Sequence, residues 1–425
     1  CIPSKALLET ADLLHRVTTQ GAEFGLTQGE QVGLDYPVLA KRRDAVVDKH
    51  VKGVEFLMKK NGVSVLHGSG TLTSPTSVHV SGGEAGELDA SATDLLLATG
   101  SAPRSLPGLD IDGERIITSD EALRRNDVPK RVTIVGSGAI GVEWASMYRD
   151  FGSEVHLVEF LDRVVPLEEP DVSKELNRVF KRRGIAIHTA STIDADSIQR
   201  TKGGLKFAIK ANEGDGRTEV ETDVILVAVG RRPLTDGIGL EKIDGVQLER
   251  GYVKVDEFMR TGVEHLYAIG DIVPGFQLAH VASHEAVVAV EKIAGHDPEP
   301  VRMDLMPRVT FCRPQIASVG MGEQQAKEQG REVKVGSFPF RALGKATIVG
   351  EVDGFAKMIA DAQTGELLGT HIIGPHAGDL LAEPTLARLV EGTVGEIAMS
   401  VHAHPTLTEV LAEAALAVDG AAIHV

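Results

Sequence analysis

Arg131-Val132-Thr133-Ile134-Val135-Gly136-Ser137-Gly138-Ala139-Ile140-Gly141 is the stretch whose reading decides the fold. Its first five residues are rich in β-branched side chains and read as a short buried strand that stops abruptly at glycine. A helix-like stretch follows from Val142 to about Phe151, Gly152 closes it, and Val155-His156-Leu157-Val158-Glu159 reads as the next strand. Strand, glycine turn, helix and strand in that order form a dinucleotide-binding unit of a doubly wound, Rossmann-like α/β sheet. Gly136, Gly138 and Gly141, with Ala139 and Ile140 in the first helical turn, let a pyrophosphate approach the backbone at a helix N-terminus. Glu159 stands 23 residues beyond Gly136 and ends the second strand, where it would accept hydrogen bonds from ribose hydroxyls. A carboxylate there repels a 2′-phosphate, and Phe160-Leu161-Asp162 supplies no arginine pair to bind one, so NAD rather than NADP is expected. The bland alternative is a tight turn followed by a solvated acid.

Working outward, the chain repeats itself. Thr93-Asp94-Leu95-Leu96-Leu97-Ala98-Thr99-Gly100-Ser101-Ala102-Pro103-Arg104 resembles Thr222-Asp223-Val224-Ile225-Leu226-Val227-Ala228-Val229-Gly230-Arg231-Arg232-Pro233, an offset of 129 residues from Thr93 to Thr222. Each is an apolar strand ending in a glycine turn, and the offset is a plausible domain length, so two tandem nucleotide-binding domains are expected. The first copy shows no glycine turn, because the position equivalent to Gly136 falls at Leu7. That turn is expected upstream of Cys1, which makes this an N-terminally truncated chain lacking roughly 30 residues or more of strand, turn and helix. A chain beginning at Cys1 would then be unable to cradle a second pyrophosphate. After Asp271 the pattern changes: residues 277–294 read as one helix and 296–300 as a linker. Residues 305–425 form an α+β unit without a nucleotide turn, with strands at Val309–Phe311, Gly354–Ala360 and Gly369–Ile373 and a last helix from about Leu407 to Val418.

Composition narrows the class. The 425 residues are too many for one core, and a net charge of -17 argues against nucleic acid or an anionic membrane as partner. No run of about 18 apolar residues is present. Two cysteines, Cys1 and Cys312, cannot make a structural disulfide framework, so the cytoplasm is the expected compartment.

Three segments could carry chemistry. Pro3 and Ser4 open a helix that continues through Leu7, Leu8, Ala11 and Leu14, so the Cys1 thiol at its N-terminus, with Lys5 nearby, would be reactive. A cysteine before a helix can equally be just a small residue. Gly270-Asp271 closes the apolar stretch His265–Ile269, near the helix start Leu278-Ala279-His280, and Asp271 suits sugar hydroxyls, or is simply an Asp turn. In His402-Ala403-His404-Pro405-Thr406-Leu407-Thr408-Glu409, Thr406 and Glu409 have the spacing of a capping box, and Glu409 could also orient His404 as a general acid–base group.

Cys1-Ile-Pro-Ser-Lys5, the turn Ala98-Thr99-Gly100, Gly136–Glu143, Gly230-Arg231-Arg232-Pro233, Tyr267–Asp271 and His402–Thr406 occur in that order. The ordered set resembles the pyridine nucleotide–disulfide oxidoreductases, and within them the dihydrolipoamide dehydrogenases, over the whole chain. The resemblance implies an FAD-binding domain at 1–118 without its N-terminal start, an NAD-binding domain at 119–250, a return to the FAD domain at 251–304, and a dimerisation domain at 305–425. It implies that Cys1 is the flavin-facing cysteine of a Cys-x-x-x-x-Cys redox pair. Lys5 and Glu143 would be an ion pair beside the flavin, with Glu143 also bordering NAD. Thr99, Gly100, Ser101, Asp271, Leu278, Ala279 and His280 would contact FAD, and Gly230 would contact NAD. His404 would be the active-site base and Glu409 its partner, supplied by the other subunit of a homodimer.

The implied reaction is oxidation of dihydrolipoamide on the lipoyl domain of a 2-oxo acid dehydrogenase complex, docked to its acyltransferase core, or in a glycine cleavage system. Rivals are an NADPH-dependent low-molecular-weight disulfide reductase, disfavoured by Glu159, and mercuric reductase, disfavoured because Gly420–Val425 holds no cysteine pair. A non-catalytic scaffold would be free to lose Cys1, His404 and Glu409. Phe311-Cys312-Arg313-Pro314 matches no redox position, and Cys312 reads as a structural thiol.

Overall fold

The computed structural model describes residues 1–27, 32–83 and 86–424. They divide into two compact units. One holds Cys1, Val47–Pro103 and Arg231–Met303; the other holds Ile2–Val46, Arg104–Gly230 and the residues from Asp304 on.

The second unit contains a five-stranded parallel sheet in the order Ile116–Ile117, Val224–Val227, Arg131–Val135, Glu154–Val158, Ala186–His188. Arg131–Val135 is its central strand, with Val132 opposite both Val224 and Val155. A central parallel strand is covered on both faces, which is why it reads as a continuous apolar run. On one side Val132 and Ile134 meet Val142 and Ala145 of the helix Ala139–Asp150, and Leu176 and Phe180 of the helix Pro170–Arg182. On the other, Val135, Val158, Ile225 and Val227 pack on Leu205, Phe207 and Ile209 of a three-stranded antiparallel meander. The helix Ile2–His15 buries Leu7 and Ala11, four residues apart on one face, in the same core as Trp144 and Tyr148. That stripe lays the helix following Cys1 along the glycine-turn helix.

The same unit carries a five-stranded antiparallel sheet in the order Arg308–Thr310, Gln315–Gly320, Leu367–Gly374, Phe355–Asp361, Val333–Pro339. Every residue of Leu367–Gly374 is buried. Helices at Ala382–Leu389, Val394–Met399 and Glu409–Ala417 cover it, and Leu386, Leu389, Val390, Met399 and Val401 remain exposed.

In the first unit Leu95–Leu97 pairs in parallel with Leu266–Ala268, and Ser101–Pro103 pairs antiparallel with Arg231–Pro233. A three-stranded antiparallel sheet (Ser69–Ser74, Ser77–Ser81, Leu88–Ser91) and the helix Ala279–Ile293 complete it. Residues 231–250, expected with the NAD-binding domain, thus group with the first repeat. The cause is that Arg231–Pro233 pairs with Ser101–Pro103 and Leu234 N–H donates to Gly100 O at 2.9 Å. Residues 104–118 move the other way, because Ile116–Ile117 is an edge strand of the parallel sheet. Among the described residues no helix is long and apolar enough to cross a membrane, and no group of three or more His, Cys, Asp or Glu is arranged to hold a metal ion.

Candidate functional site

The three glycines of the central turn have three different physical reasons. Gly136 takes φ +95, and a Cβ there would lie 2.5 Å from Ala228 O. A Cβ on Gly141 would lie 1.9 Å from Gly136 O, so only glycine lets the helix come this close to the strand. Gly138 has no such constraint: nothing lies within 4 Å of its Cβ position, and both it and Ala139 are exposed. Gly138 caps the helix without any side-chain hydrogen bond, so the first N–H groups, including that of Ile140, face an open cradle suited to a pyrophosphate. Gly230, with φ +111 and open space at its Cβ, is equally accommodating.

Glu159 is only 7% exposed, and its carboxylate is already engaged. Oε2 accepts from Ser137 N–H at 2.8 Å and from Ser137 Oγ at 2.7 Å, while Oε1 accepts from Leu161 N–H at 2.9 Å. The expectation of an acid waiting for ribose is thereby modified, since Glu159 first ties the glycine turn to the end of the next strand. A carboxylate has about four acceptor positions, so capacity for a hydroxyl remains. Arg163, the arginine that follows in sequence, donates to Pro166 O at 2.8 Å.

Lys5 reaches Glu143 across the two packed helices, with Nζ at 3.0 and 2.8 Å from the carboxylate oxygens. The backbone N–H of Phe311 donates to the same carboxylate at 2.8 Å, and the Phe311 ring centroid lies 4.8 Å from the ammonium. Glu143 is therefore a buried acid satisfied on two sides, while Lys5 keeps partial access to solvent. Sequence spacing gave no sign of Phe311. Cys1 is exposed, whereas Cys312 is buried, hydrogen-bonded to Pro314 O at 3.1 Å, and its thiol is pushed well up by burial and by the charge of Glu143. An inert structural thiol is what that environment produces.

On the first unit, Ser101 Oγ donates to the Asp271 carboxylate. Arg231 holds Ser101 through both its hydroxyl and its carbonyl at 2.7 Å, and its guanidinium lies 3.9 Å from Asp271. Thr99 Oγ1 donates to Leu234 O at 2.7 Å, and Gly100 takes φ +76 with open space at its Cβ. Leu278 caps the helix Ala279–Ile293 without a side-chain bond, leaving Ala279 and His280 exposed at its start. An acid for sugar hydroxyls, an uncapped helix start and an open glycine turn fit the ribityl chain and ring edge of a flavin. Arg231 and the buried Glu285, which accepts from Gly270 N–H at 2.7 Å, escaped the sequence reading. The Arg-Arg-Pro motif could have suggested Arg231. Glu285 sits among Val281, Val288 and Ala289 on the core face of its helix, where an acid is out of pattern.

His404 Nδ1 lies 2.9 Å from Glu409 Oε1, as expected of an oriented imidazole. The expected capping box forms only in half. Glu409 Oε2 accepts from Thr406 N–H at 2.9 Å, but Thr406 Oγ1 turns to Ala403 O and Thr408, and the helix begins at Glu409 after Thr408. Burial raises the Glu409 carboxyl, but His404 and the Thr406 N–H outweigh it and hold the group below its usual range. Pairing alone does not single out His404, because His402 pairs with Glu383 and His424 with Glu413. The His402 side chain is 7% exposed and that of His404 77%, so His404 combines an oriented ring with an open Nε2.

Residues 1–286 match the family described as pyridine nucleotide-disulphide oxidoreductase, and residues 306–415 match its dimerisation domain. The chain is 43% identical to a dihydrolipoyl dehydrogenase of Bacillus subtilis, over all of this chain and 90% of that protein. It is 41% identical to a dihydrolipoamide dehydrogenase of Chaetomium thermophilum, over all of this chain and 84% of the relative. Among solved structures, LpdA from Mycobacterium tuberculosis superposes with a TM-score of 0.88 at 26% identity, covering 98% of this chain and 89% of LpdA. The flavoprotein disulfide reductase RclA from Escherichia coli shares the fold, with a TM-score of 0.81 at 22% identity over 98% of this chain and 89% of RclA. The chain belongs to the pyridine nucleotide-disulphide oxidoreductase family and carries that family's dimerisation domain.

Proposed function

We propose that this protein is a dihydrolipoamide dehydrogenase, oxidising protein-bound dihydrolipoamide to lipoamide and reducing NAD, with FAD and a redox disulfide that includes Cys1. The observation that carries the reading is the Lys5–Glu143 pair, which joins the helix following the cysteine to the helix of the nucleotide turn. A thiol-to-nicotinamide oxidoreductase needs those two elements side by side. FAD, when bound, supplies the two-electron exchange between sulfur and nicotinamide.

The chain's own residues do the rest. Gly138, Ala139 and Ile140 present backbone N–H groups to the NAD pyrophosphate, and Gly230 borders the same nucleotide. Glu159 retains acceptor capacity for the adenosine ribose. Thr99, Gly100, Ser101 and Asp271, with the helix start at Leu278, Ala279 and His280, hold the flavin. Lys5 and Glu143 set the charge beside the nicotinamide and flavin. His404, gripped at Nδ1 by Glu409, accepts the thiol proton at Nε2. Two thiols become one disulfide, two electrons and one proton leave as the hydride on NADH, and the second thiol proton passes through His404 to solvent. His404 serves the site of the other subunit in the homodimer, whose contact surface is the exposed face of Leu386, Leu389, Val390, Met399 and Val401. The substrate arm belongs to the lipoyl domain of a 2-oxo acid dehydrogenase complex with its acyltransferase core, in the cytoplasm. Steady-state oxidation of dihydrolipoamide with either nucleotide tests the reading. Turnover that prefers NADP, or no turnover with dihydrolipoamide by the flavin-loaded dimer, would overturn it.

A further inference from the structure

Glu285 is a carboxyl in the wrong company. Its helix, Ala279–Ile293, buries Val281, Val288 and Ala289 on the face that also carries Glu285, and Glu285 is 1% exposed. An apolar residue at that position would add to the core. A carboxyl costs free energy there unless its partner is also buried and polar. The partner is the N–H of Gly270, 2.7 Å from Oε2. Gly270 leaves the strand Leu266–Ala268 with φ +71 and opens the short turn Gly270–Ile272 that carries Asp271. With the chain turning out of the sheet, that N–H has no strand to donate to, and Glu285 takes it.

Asp271 is thus held from two directions. Ser101 binds its carboxylate and Arg231 stands behind it at 3.9 Å, while Glu285 fixes the backbone one residue before it. Gln277 Nε2 adds a contact to Asp271 O at 3.3 Å. We propose that Glu285 is a positioning residue for the flavin: it aims Asp271 at the ribityl chain, and its ionisation couples flavin retention to pH. This rests on the reading of Asp271 as a flavin contact.

The electrostatics of the corner support the coupling. Burial raises the Glu285 carboxyl to about 7; the Gly270 N–H works against this, and the charge of Asp271 adds to it. The charge acting on Glu285 is that of Asp271 from the turn, which has Arg231 of the strand Arg231–Pro233 3.9 Å away; His280 and His284 lie on the exposed side of the helix. A flavin seated over Asp271 removes water from the corner and strengthens the repulsion between two carboxylates. The bound form then favours a neutral Glu285, so flavin binds more tightly below the carboxyl's midpoint than above it.

The test uses the full-length, flavin-loaded protein, stripped of FAD and titrated with FAD by flavin fluorescence across neutral pH. For the parent protein the dissociation constant should rise with pH above about 7, by at most about tenfold per pH unit, the limit for a single proton. Glu285→Gln keeps an acceptor for Gly270 N–H and loses the charge, so it should bind FAD with a flat pH profile. Glu285→Ala should bind at least about tenfold more weakly at every pH, the usual worth of a lost hydrogen bond to a buried donor. Circular dichroism and thermal melts of the flavin-free variants separate this from unfolding, and if Glu285→Ala does not fold, the Glu285→Gln profile decides. A Glu285→Gln profile that parallels the parent's, or a folded Glu285→Ala that binds FAD like the parent, overturns the proposal. A parent protein that binds no FAD at all overturns the flavin reading itself, which is a different outcome.

Discussion

Val224–Val227 and Leu95–Leu97 are the two copies of one repeated strand, each followed by a glycine turn. The first lies inside a five-stranded parallel sheet and is buried along its whole length. The second pairs, among the described strands, with Leu266–Ala268, and only Leu97 is buried. In the sheet of the first, the neighbouring central turn presents backbone: an uncapped helix start, three glycines and one acid that braces the turn. Around the second, side chains gather, with Ser101, Arg231 and Glu285 converging on Asp271 or the backbone before it. One repeated local pattern is thus bordered by two kinds of surface. Backbone N–H groups suit a pyrophosphate, and an oriented carboxylate suits the hydroxyls of a sugar chain.

The largest expected effect comes from removing the backbone site's geometry. Gly141→Ala would place a Cβ 1.9 Å from Gly136 O, forcing the helix off the strand. Denaturant unfolding should show a loss of about 3 kcal/mol or more, the upper range for overpacking, together with loss of NADH binding. If Gly141→Ala costs no more than Gly138→Ala, the glycines do not play the different parts assigned to them.

Next in size is a residue that belongs to neither copy. His404→Gln should lower dihydrolipoamide oxidation by about 10² while sparing electron transfer from NADH to an artificial acceptor. Mixed dimers of Cys1→Ser and His404→Gln subunits locate the base. In trans pairing leaves one intact site per mixed dimer and so about half the activity, whereas pairing within one subunit leaves none.

Glu159 should discriminate against the 2′-phosphate by about 1–3 kcal/mol, which is about 5- to 160-fold in kcat/KM for NAD over NADP. Glu159→Gln sharpens the comparison, because it removes the charge while its single amide oxygen still accepts from Ser137, at the cost of the Leu161 N–H bond. The preference should narrow without loss of the fold.

Glu285 offers a stability test of the side-chain site. Its carboxyl ionises near 4.5 when unfolded and near about 7 when folded, so the folded state holds an extra proton between these values. Folding stability relative to Glu285→Gln should therefore fall as pH rises across that window and level off above it, by about 1–3 kcal/mol in all. Thermal unfolding against pH measures this, and a parent and variant that run parallel would show the carboxyl to be solvated.

The smallest effects contrast two open glycines. Gly100→Ala should cost about 1 kcal/mol, because φ +76 strains any L side chain although nothing crowds the Cβ. Gly138→Ala, with ordinary φ and open space, should change unfolding by less than about 0.5 kcal/mol and act on NAD affinity alone.

The sequence by itself determined the order of strand, glycine turn, helix and acid, the repeat, the helix after Cys1, the helix start near Leu278 and the spacing of His404 from Glu409. These are signals of short range, written in periodicity and in residues that tolerate unusual backbone. Tertiary structure alone decided that Lys5 meets Glu143 over a floor of Phe311, that Glu159 is spent partly on Ser137, and that residues 231–250 join the first repeat. It also separated His404 from His402, whose side chain is buried, whereas His424 beside Glu413 is exposed much like His404. Glu285 is the sharpest case. From its chain neighbours it is an acid misplaced on an apolar helix face, and it acquires a purpose only when a turn fifteen residues earlier brings an orphaned N–H to it. Local pattern specifies what each element is. Which side chains meet depends on how helices and sheets pack, and no local spacing encodes the direction from which a distant partner arrives.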